Sequence, residues 1–362
     1  MRKSIYMIVA AALLAASCEN TVETVWSTDN RATLVVNAQM RQDRHNHRIF
    51  VNNSGGSSSK EVRNATVTCR INGGEPIVAL PVTKEKELYN GEIVKEYYGY
   101  GFDADLAPGD ELSIDVKWSG LEASAKAVVP ESAATITALD TMKVVLDGEN
   151  NEYGGNSRTT RQYGITVRDK EGEKNYYMLS AEDIYYRIDA SGSKVASLST
   201  VCHIDTDYDR MLHPMENNIL DGIIGESNDY EVFNDEMFAD ASYTLKIYDS
   251  YYGFYNDAFT QFFEQFEEGD SYCLERIFKI YTISFEEFLY LKAIGAAGND
   301  LEFMTEPVIY PENVTGGLGF VTVATPATWT IAFPVQPFTG EPPYNAYRYR
   351  DPIPENLDDY YY

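Results

Sequence analysis

The sequence predicts an all-β protein, mainly β with one short helix, arranged as an N-terminal immunoglobulin-like β-sandwich followed by a larger β-rich domain. Three observations carry this. Between residues 32 and 131, about seven short β-rich runs are separated by clusters of Gly, Pro, Asn and Asp, the spacing of a sandwich. Several runs alternate, as in "NATVTCRING", where Val67, Cys69 and Ile71 share one side and Thr66, Thr68 and Arg70 the other. The next 200 residues are richer in Tyr and Phe and again strand-like, with a single stretch of helical spacing.

Taken in order, residues 1–17 read as a secretory signal: Arg2 and Lys3 precede an apolar run that ends in small residues. The run is too short to cross a bilayer, which takes roughly 20 apolar residues. Leu14-Ala15-Ala16-Ser17-Cys18 resembles the lipobox of bacterial lipoproteins, so Cys18 is expected to carry acyl chains after cleavage. Two or three chains on one residue anchor stably, whereas one binds only marginally. Residues 18–31 then form a polar lipidated tether without periodicity. Residues 32–131 form the sandwich, built from "ATLVVNAQM", "HRIFVNN", "NATVTCRING", "EPIVALPV", "EYYGYGFDADL", "DELSIDVKW" and "EASAKAVVP", and Pro130 closes it.

Residues 135–335 form the second domain, with strands in "RQYGITVRD", "KNYYMLSAEDIYYRI", "ASLSTVCHI", "ASYTLKIYD" and "CLERIFKIYTI". Its helix is expected at residues 284–294. Ser284 is the N-cap with Glu287 as its capping-box partner, Phe285, Phe288, Leu289 and Lys292 follow the helical spacing, and Gly295 is the stop. Residues 336–362, rich in Pro, Tyr and charge, read as an extended tail, or as a docking segment through its Tyr and Arg side chains.

Charge narrows the partners. Loss of residues 1–17 would remove Arg2 and Lys3, leaving 27 basic side chains against 56 acidic ones, a net charge of −29. Such a polyanion does not seek nucleic acid or anionic lipid, so membrane attachment is expected through Cys18 alone. The remaining thiols, Cys69, Cys202 and Cys273, are far apart and read as structural.

The stretch "HIDTDYDRMLHPME" places Asp205, Asp207, Asp209 and Glu216 at the first, third, fifth and twelfth positions of an EF-hand-type calcium loop. Arg210 stands where such a loop needs Gly, and the flank is strand-like, so two expectations stand: a non-helical calcium site, or carboxylates on a solvated strand end. His45 and His47, two apart, share a strand face and could join a third metal ligand. The flanking Arg44 and Arg48 favour a solvated face instead. No nucleophile elbow, His-Glu zinc helix or catalytic cysteine motif is present, and no carboxylate pair stands out for glycoside hydrolysis. Asp140-Thr141-Met142 resembles a short sequon for O-glycosylation, with Thr141 as acceptor.

Several segments in register resemble one family. "ATLVVNAQM", "VRNATVTCRI" and "PGDELSIDVKWSGLEASAKAVVPESAATITALD" look like the first half of the Bacteroidetes lipoproteins grouped as domain of unknown function (DUF) 4249. "FNDEMFADASYTLKIY", "ISFEEFLYLKAI" and "EPVIYPENVTGGLGF" resemble its second half, over roughly residues 32–325 in all. The resemblance implies an outer-membrane lipoprotein of no settled activity, and Glu19, directly after Cys18, points to a surface-facing rather than a periplasmic orientation. The resemblance also implies a partnership in nutrient uptake with a TonB-dependent receptor, by association only. A structural or adhesive surface subunit and a secreted hydrolase of glycans or peptides are the alternatives. In the last segment Gly316, Gly317 and Gly319 permit positive φ and close backbone approach. Without the Lys and Ser/Thr of a phosphate loop, and ahead of a strand, they do not bind nucleotide.

Overall fold

The computed structural model describes residues 32–54, 60–87, 93–146, 158–202, 204–213, 228, 230–238, 241–249, 257–297 and 311–340. The first unit contains β1 (Leu34–Arg41), β2 (Asn46–Asn53), β3 (Lys60–Glu61), β4 (Thr66–Ile71), β5 (Ile77–Glu87), β6 (Ile93–Asp103), β7 (Glu111–Trp118) and β8 (Leu121–Val128). They run side by side in the order β1-β2-β6-β5-β4-β7-β8, with β3 on β2. The alternation read from the sequence is what closes the core: Leu34, Val36, Ile49, Val51, Val67, Cys69, Leu112, Ile114 and Val116 are all buried together. Each such side chain contributes about 1.5–3 kcal/mol through removal from water.

The second unit contains β9 (Ala134–Leu146), β10 (Arg158–Asp169), β11 (Tyr176–Ile188), β12 (Lys194–Val201), β13 (Ile204–Asp205), β14 (Val232–Asn234) and β15 (Ser242–Asp249). Helix α1 (Asp257–Phe263), β16 (Ser271–Ile283), helix α2 (Phe285–Ala297), β17 (Val314–Thr315), β18 (Val321–Ala332) and β19 (Gln336–Pro337) follow. A four-stranded sheet, β13-β15-β10-β9, lies over β12-β11-β16-β18 of the large sheet. Tyr163, Ile165, Val167, Leu179, Leu245, Ile247, Phe278 and Ile280 are buried between them. The all-β class is as expected. The Tyr and Phe enrichment has a place too: Phe259, Phe262, Phe263 and Phe266, in and just after α1, pack on Tyr185.

Helix α2 corrects the sequence in two respects. Ser284 does cap it, its Oγ accepting from the Glu287 N–H at 3.1 Å. Glu287, however, turns inward to Arg41 and Thr322, so the buried face runs through Glu287, Phe288 and Leu291 while Phe285 and Leu289 stand exposed. The helix also continues through Gly295 to Ala297.

Strand β18 belongs to both units. Its first part pairs in parallel with β1, Ala38 opposite Val321 through Arg41 opposite Ala324, and its second part pairs antiparallel with β16, Thr325 through Ala332. Val321 and Val323 accordingly lie in the first core, although their sequence position is within the expected second domain. Chain order alone cannot reveal a return of this kind. The crossing is fastened by Thr325 Oγ1, which donates to the Pro130 carbonyl at 2.7 Å, and by the Ala133 N–H, which donates to Thr282 Oγ1 at 2.9 Å.

Candidate functional site

The turn between β1 and β2 reaches from the first unit onto the outer face of β11 and β16. Because side chains alternate across a strand, Glu182 and Lys279 point to this face while their neighbours Asp183 and Phe278 point into the core. Lys279 Nζ donates to Asp43 Oδ2 and to Glu182 Oε2, both at 2.7 Å, and Arg44 donates to Glu182 Oε2 at 3.0 Å. Ser199 Oγ donates to the other Glu182 oxygen. Alongside, Arg41 bonds Glu287 Oε1 at 2.8 Å, Thr322 bonds Glu287 Oε2 at 2.8 Å, and the Arg41 guanidinium lies 5.1 Å from the Tyr281 ring centre. Junctions between units are favoured places for ligands and partners.

The charges at this seam are compensated. Burial opposes the Lys279 ammonium, but the hydrogen bonds to Asp43 and Glu182 outweigh it and hold its pKa above the ordinary value. Burial likewise opposes the Glu182 carboxylate, and the bonds from Lys279 and Ser199 outweigh it, so its pKa falls. Among the described residues the other carboxylates that move clearly, Asp110, Asp189, Glu236 and Asp270, also move down. A general acid working near neutral pH needs the opposite shift. Beyond the seam the same sheet face lies half open, with Ile184, Tyr186, Glu275 and Ile277 partly exposed. Lys194 Nζ sits 3.6 Å from the Tyr186 ring centre and bonds Glu275 at 2.9 Å.

Beneath this face, between the sheets, lies a buried ionic cluster. Arg276, 1% exposed, donates through Nε and Nη2 to the two oxygens of Asp183 at 2.7 and 2.8 Å, and through Nη1 to the Tyr163 hydroxyl at 2.6 Å and to Asp249. Burial opposes the Arg276 charge, and the Asp183 and Asp249 carboxylates around it retain the proton. Burial also pushes the Cys202 thiol well up, an inert environment for sulfur. Cys69, Cys202 and Cys273 are all buried.

The residues singled out in the sequence do not converge on this site. Asp209 is buried and already engaged: Oδ1 accepts from the Met211 and Leu212 N–H groups at 2.8 and 3.3 Å, and Oδ2 from the Lys246 N–H of β15 at 2.7 Å. Asp205 accepts from the Asp207 N–H at 3.3 Å, and Asp207 is exposed. Glu216 and Cys18 lie outside the described residues, among which no group of three or more His, Cys, Asp and Glu side chains is placed to share an ion. Asp209→Ala is therefore expected to cost about 1.5–3 kcal/mol, the worth of hydrogen bonds to a buried charge. Urea denaturation should give the same loss in calcium and in chelator; a loss seen only in calcium would mean the carboxylate serves an ion.

His45 and His47 do not share a face. His45 Nδ1 bonds Asp105 at 2.8 Å at the surface, while His47 is buried against Phe102 with Nε2 on the Ala104 carbonyl at 3.0 Å. Thr141 stands exposed on β9, paired with Tyr163. The signal of this site in the sequence is charge inside strand-like runs: Glu182 and Asp183 in "MLSAEDIYYRI", Arg276 and Lys279 in "CLERIFKIYTI". Such residues are costly there unless paired.

Comparison with known proteins adds one assignment. The family model described as domain of unknown function (DUF4249) matches residues 19–330, across both units, the seam and the glycine-rich turn. No curated protein matches the chain. Among solved structures it is similar to a DUF4785 family protein from Legionella pneumophila subsp. pneumophila str. Philadelphia 1, at 8% identity. That likeness covers 67% of this chain and 51% of the other, so the chain spans about half its length, and at a TM-score of 0.18 it carries no argument. With most of its length matched by one family model, the chain belongs to the DUF4249 family.

Proposed function

We propose that this protein is a binding or accessory lipoprotein, held on the outer membrane through an acylated Cys18 after loss of residues 1–17, facing the surface and serving a TonB-dependent transporter in nutrient uptake. The observation that carries the binding part is the character of the described surface. An open sheet face with its charges compensated adjoins free strand edges bearing apolar side chains, Val195 and Val201 on β12, 51% and 66% exposed. Such edges are templates for another chain. The compensated seam suits recognition better than proton transfer, since its carboxylate is held ionised. The same free edges also favour a second reading, a structural or adhesive subunit that pairs with its neighbours, whereas hydrolysis has no corresponding support. The test is a tagged pull-down from detergent-solubilised native outer membranes, comparing the natural chain with Cys18→Ala. A stoichiometric TonB-dependent barrel recovered with the natural chain and lost with the variant supports the accessory reading. A preparation without such a barrel rejects it, and polymers of the chain itself would favour the adhesive one.

A further inference from the structure

The four-stranded sheet buries one face and presents the other. Tyr163, Ile165, Leu245 and Ile247 point between the sheets, so alternation turns Gln162, Gly164, Lys246 and Tyr248 outward. Pairing then fixes their neighbours. Asp140 of β9 stands opposite Gly164, and Gly164 opposite Lys246 of β15. In the outward row on one side are Met142, Gln162, Tyr248 and Asp205, and in that on the other Ala138, Thr166 and Thr244. The Tyr208 ring, from the loop after β13, meets the Tyr248 ring edge-on at 5.3 Å and is itself 45% exposed.

Nothing in the packing asks for glycine at position 164. Its φ lies outside the left-handed region, and a Cβ there would meet Thr244 Cγ2 at 3.4 Å and the Asp140 carbonyl oxygen at 3.9 Å, both ordinary contacts. The glycines of β6 differ. A Cβ on Gly99 would stand 3.0 Å from the Ile49 carbonyl oxygen, and one on Gly101 2.8 Å from Val82 Cγ2. Glycine weakens a strand interior, and one the fold does not require marks a place where a ligand comes close to the backbone. Around Gly164 the polar groups are unspent. Asp140 and Lys246 are exposed and Gln162 half-buried, and among the described residues none of the three side chains holds a hydrogen bond or an ion pair. Asp140 and Lys246 flank the bare glycine in one row without bonding each other.

We propose that the outer face of the four-stranded sheet binds an uncharged glycan, with one sugar ring over Gly164 between Asp140 and Lys246 and the next against Tyr208. The donors and acceptors on the face select this class. A ligand with acceptors alone would strip water from Asp140 and Asp205 and return nothing, and a ligand with donors alone would do the same to Lys246. A sugar hydroxyl both donates and accepts, so it serves all three together with the Gln162 amide. The apolar face of a sugar ring suits the exposed Tyr208 ring and the Met142 side chain, 54% exposed. An anionic glycan would be repelled by a chain of net charge −27. This goes beyond the accessory reading, since a transporter partner neither requires nor excludes a glycan on this face.

The experiment runs the purified full chain through native gels containing dextran, laminarin, xyloglucan or galactomannan, uncharged polysaccharides of different linkage, with polygalacturonate as the anionic comparison. The expected result is retardation by at least one of the four and none by polygalacturonate. Gly164→Val, which fills the floor of the face without touching the core, should abolish the retardation. Tyr208→Ala, on a loop, should weaken binding by about tenfold in calorimetry, the scale of one aromatic contact. Tyr186→Ala, on the other sheet, should bind like the natural chain. Circular dichroism would verify that the variants are folded, and if Gly164→Val is not, Tyr208→Ala decides. Retardation by none of the four, binding undiminished in the folded face variants, binding lost in Tyr186→Ala, or displacement by tetraglycine, a zwitterion that also offers partners to Asp140 and Lys246, would overturn the proposal. The pull-down decides the transporter reading separately, whichever way the gels run.

Discussion

Arg276→Met is expected to destabilise the second unit by about 3–5 kcal/mol, because it leaves two carboxylates in the core without their cation. Asp183 has no exposure and Asp249 is 6% exposed, so neither can recover its hydration by a small movement. The guanidinium meets Asp183 with a two-pronged fork while a third nitrogen serves Asp249 and Tyr163. Lysine, with one compact ammonium, cannot reproduce that geometry, so Arg276→Lys should fall between the natural chain and the methionine variant. Urea denaturation would measure both. Removing the charges together offers the discriminating case: with Asp183→Leu and Asp249→Leu added, much of the stability lost in Arg276→Met should return, since the cost lies in uncompensated charge. If Arg276→Met costs under about 1 kcal/mol, or the triple variant is worse than the single one, the cluster does not hold the two sheets in the way described.

That cluster also shows where sequence reasoning reaches its limit. Strands were legible because one face of each is buried, which writes a period of two into the chain: Val67, Cys69 and Ile71 declare their side without any knowledge of a partner. Helix α2 was legible through Ser284 and its periodicity, but the buried face was not. Glu287 looks like an ordinary capping-box residue until Arg41, 246 positions earlier, is placed against it. The pairs Asp43 with Lys279 and Asp183 with Arg276 are likewise separated by 236 and 93 positions. A charge within a strand announces that it must be paired and gives no hint of its partner. The aspartate-rich loop is ambiguous for a different reason. Alternating acids look the same whether they gather an ion, face water or satisfy backbone donors, and in Asp209 the last of these prevails through the N–H of Lys246 on a strand not yet formed in sequence order. The parallel pairing of β1 with β18 was hidden for the same reason, since it joins the two ends of the described chain.

Gly319→Ala is expected to be the most damaging glycine-to-alanine change among the described residues, costing about 4 kcal/mol or more. Residues 313–320 stitch the first unit shut: β17 pairs with β8, while Leu318 exchanges backbone hydrogen bonds with Leu34 and Val36 of β1, both at 2.8 Å. Asn313 braces the loop by bonding both the carbonyl and the N–H of Val321, at 2.7 and 2.8 Å. For the two edges to come this close, the stitching chain must lack side chains. A Cβ on Gly316 would stand 2.6 Å from the Glu122 carbonyl oxygen and one on Gly317 2.6 Å from that of Leu34. On Gly319 it would run into the backbone of Val36, at a φ of +115° that L-residues avoid in any case. Backbone atoms held in a sheet cannot yield as the end of a flexible side chain can. Gly340→Ala is the control. Its φ is +93° but its Cβ would meet nothing within 4 Å, so it carries the conformational penalty alone, about 1–2 kcal/mol. The difference between the two variants in urea denaturation isolates the clash. If Gly319→Ala loses no more than Gly340→Ala, β1 and β8 are not drawn together by this turn, and Gly316, Gly317 and Gly319 would need an explanation outside the fold.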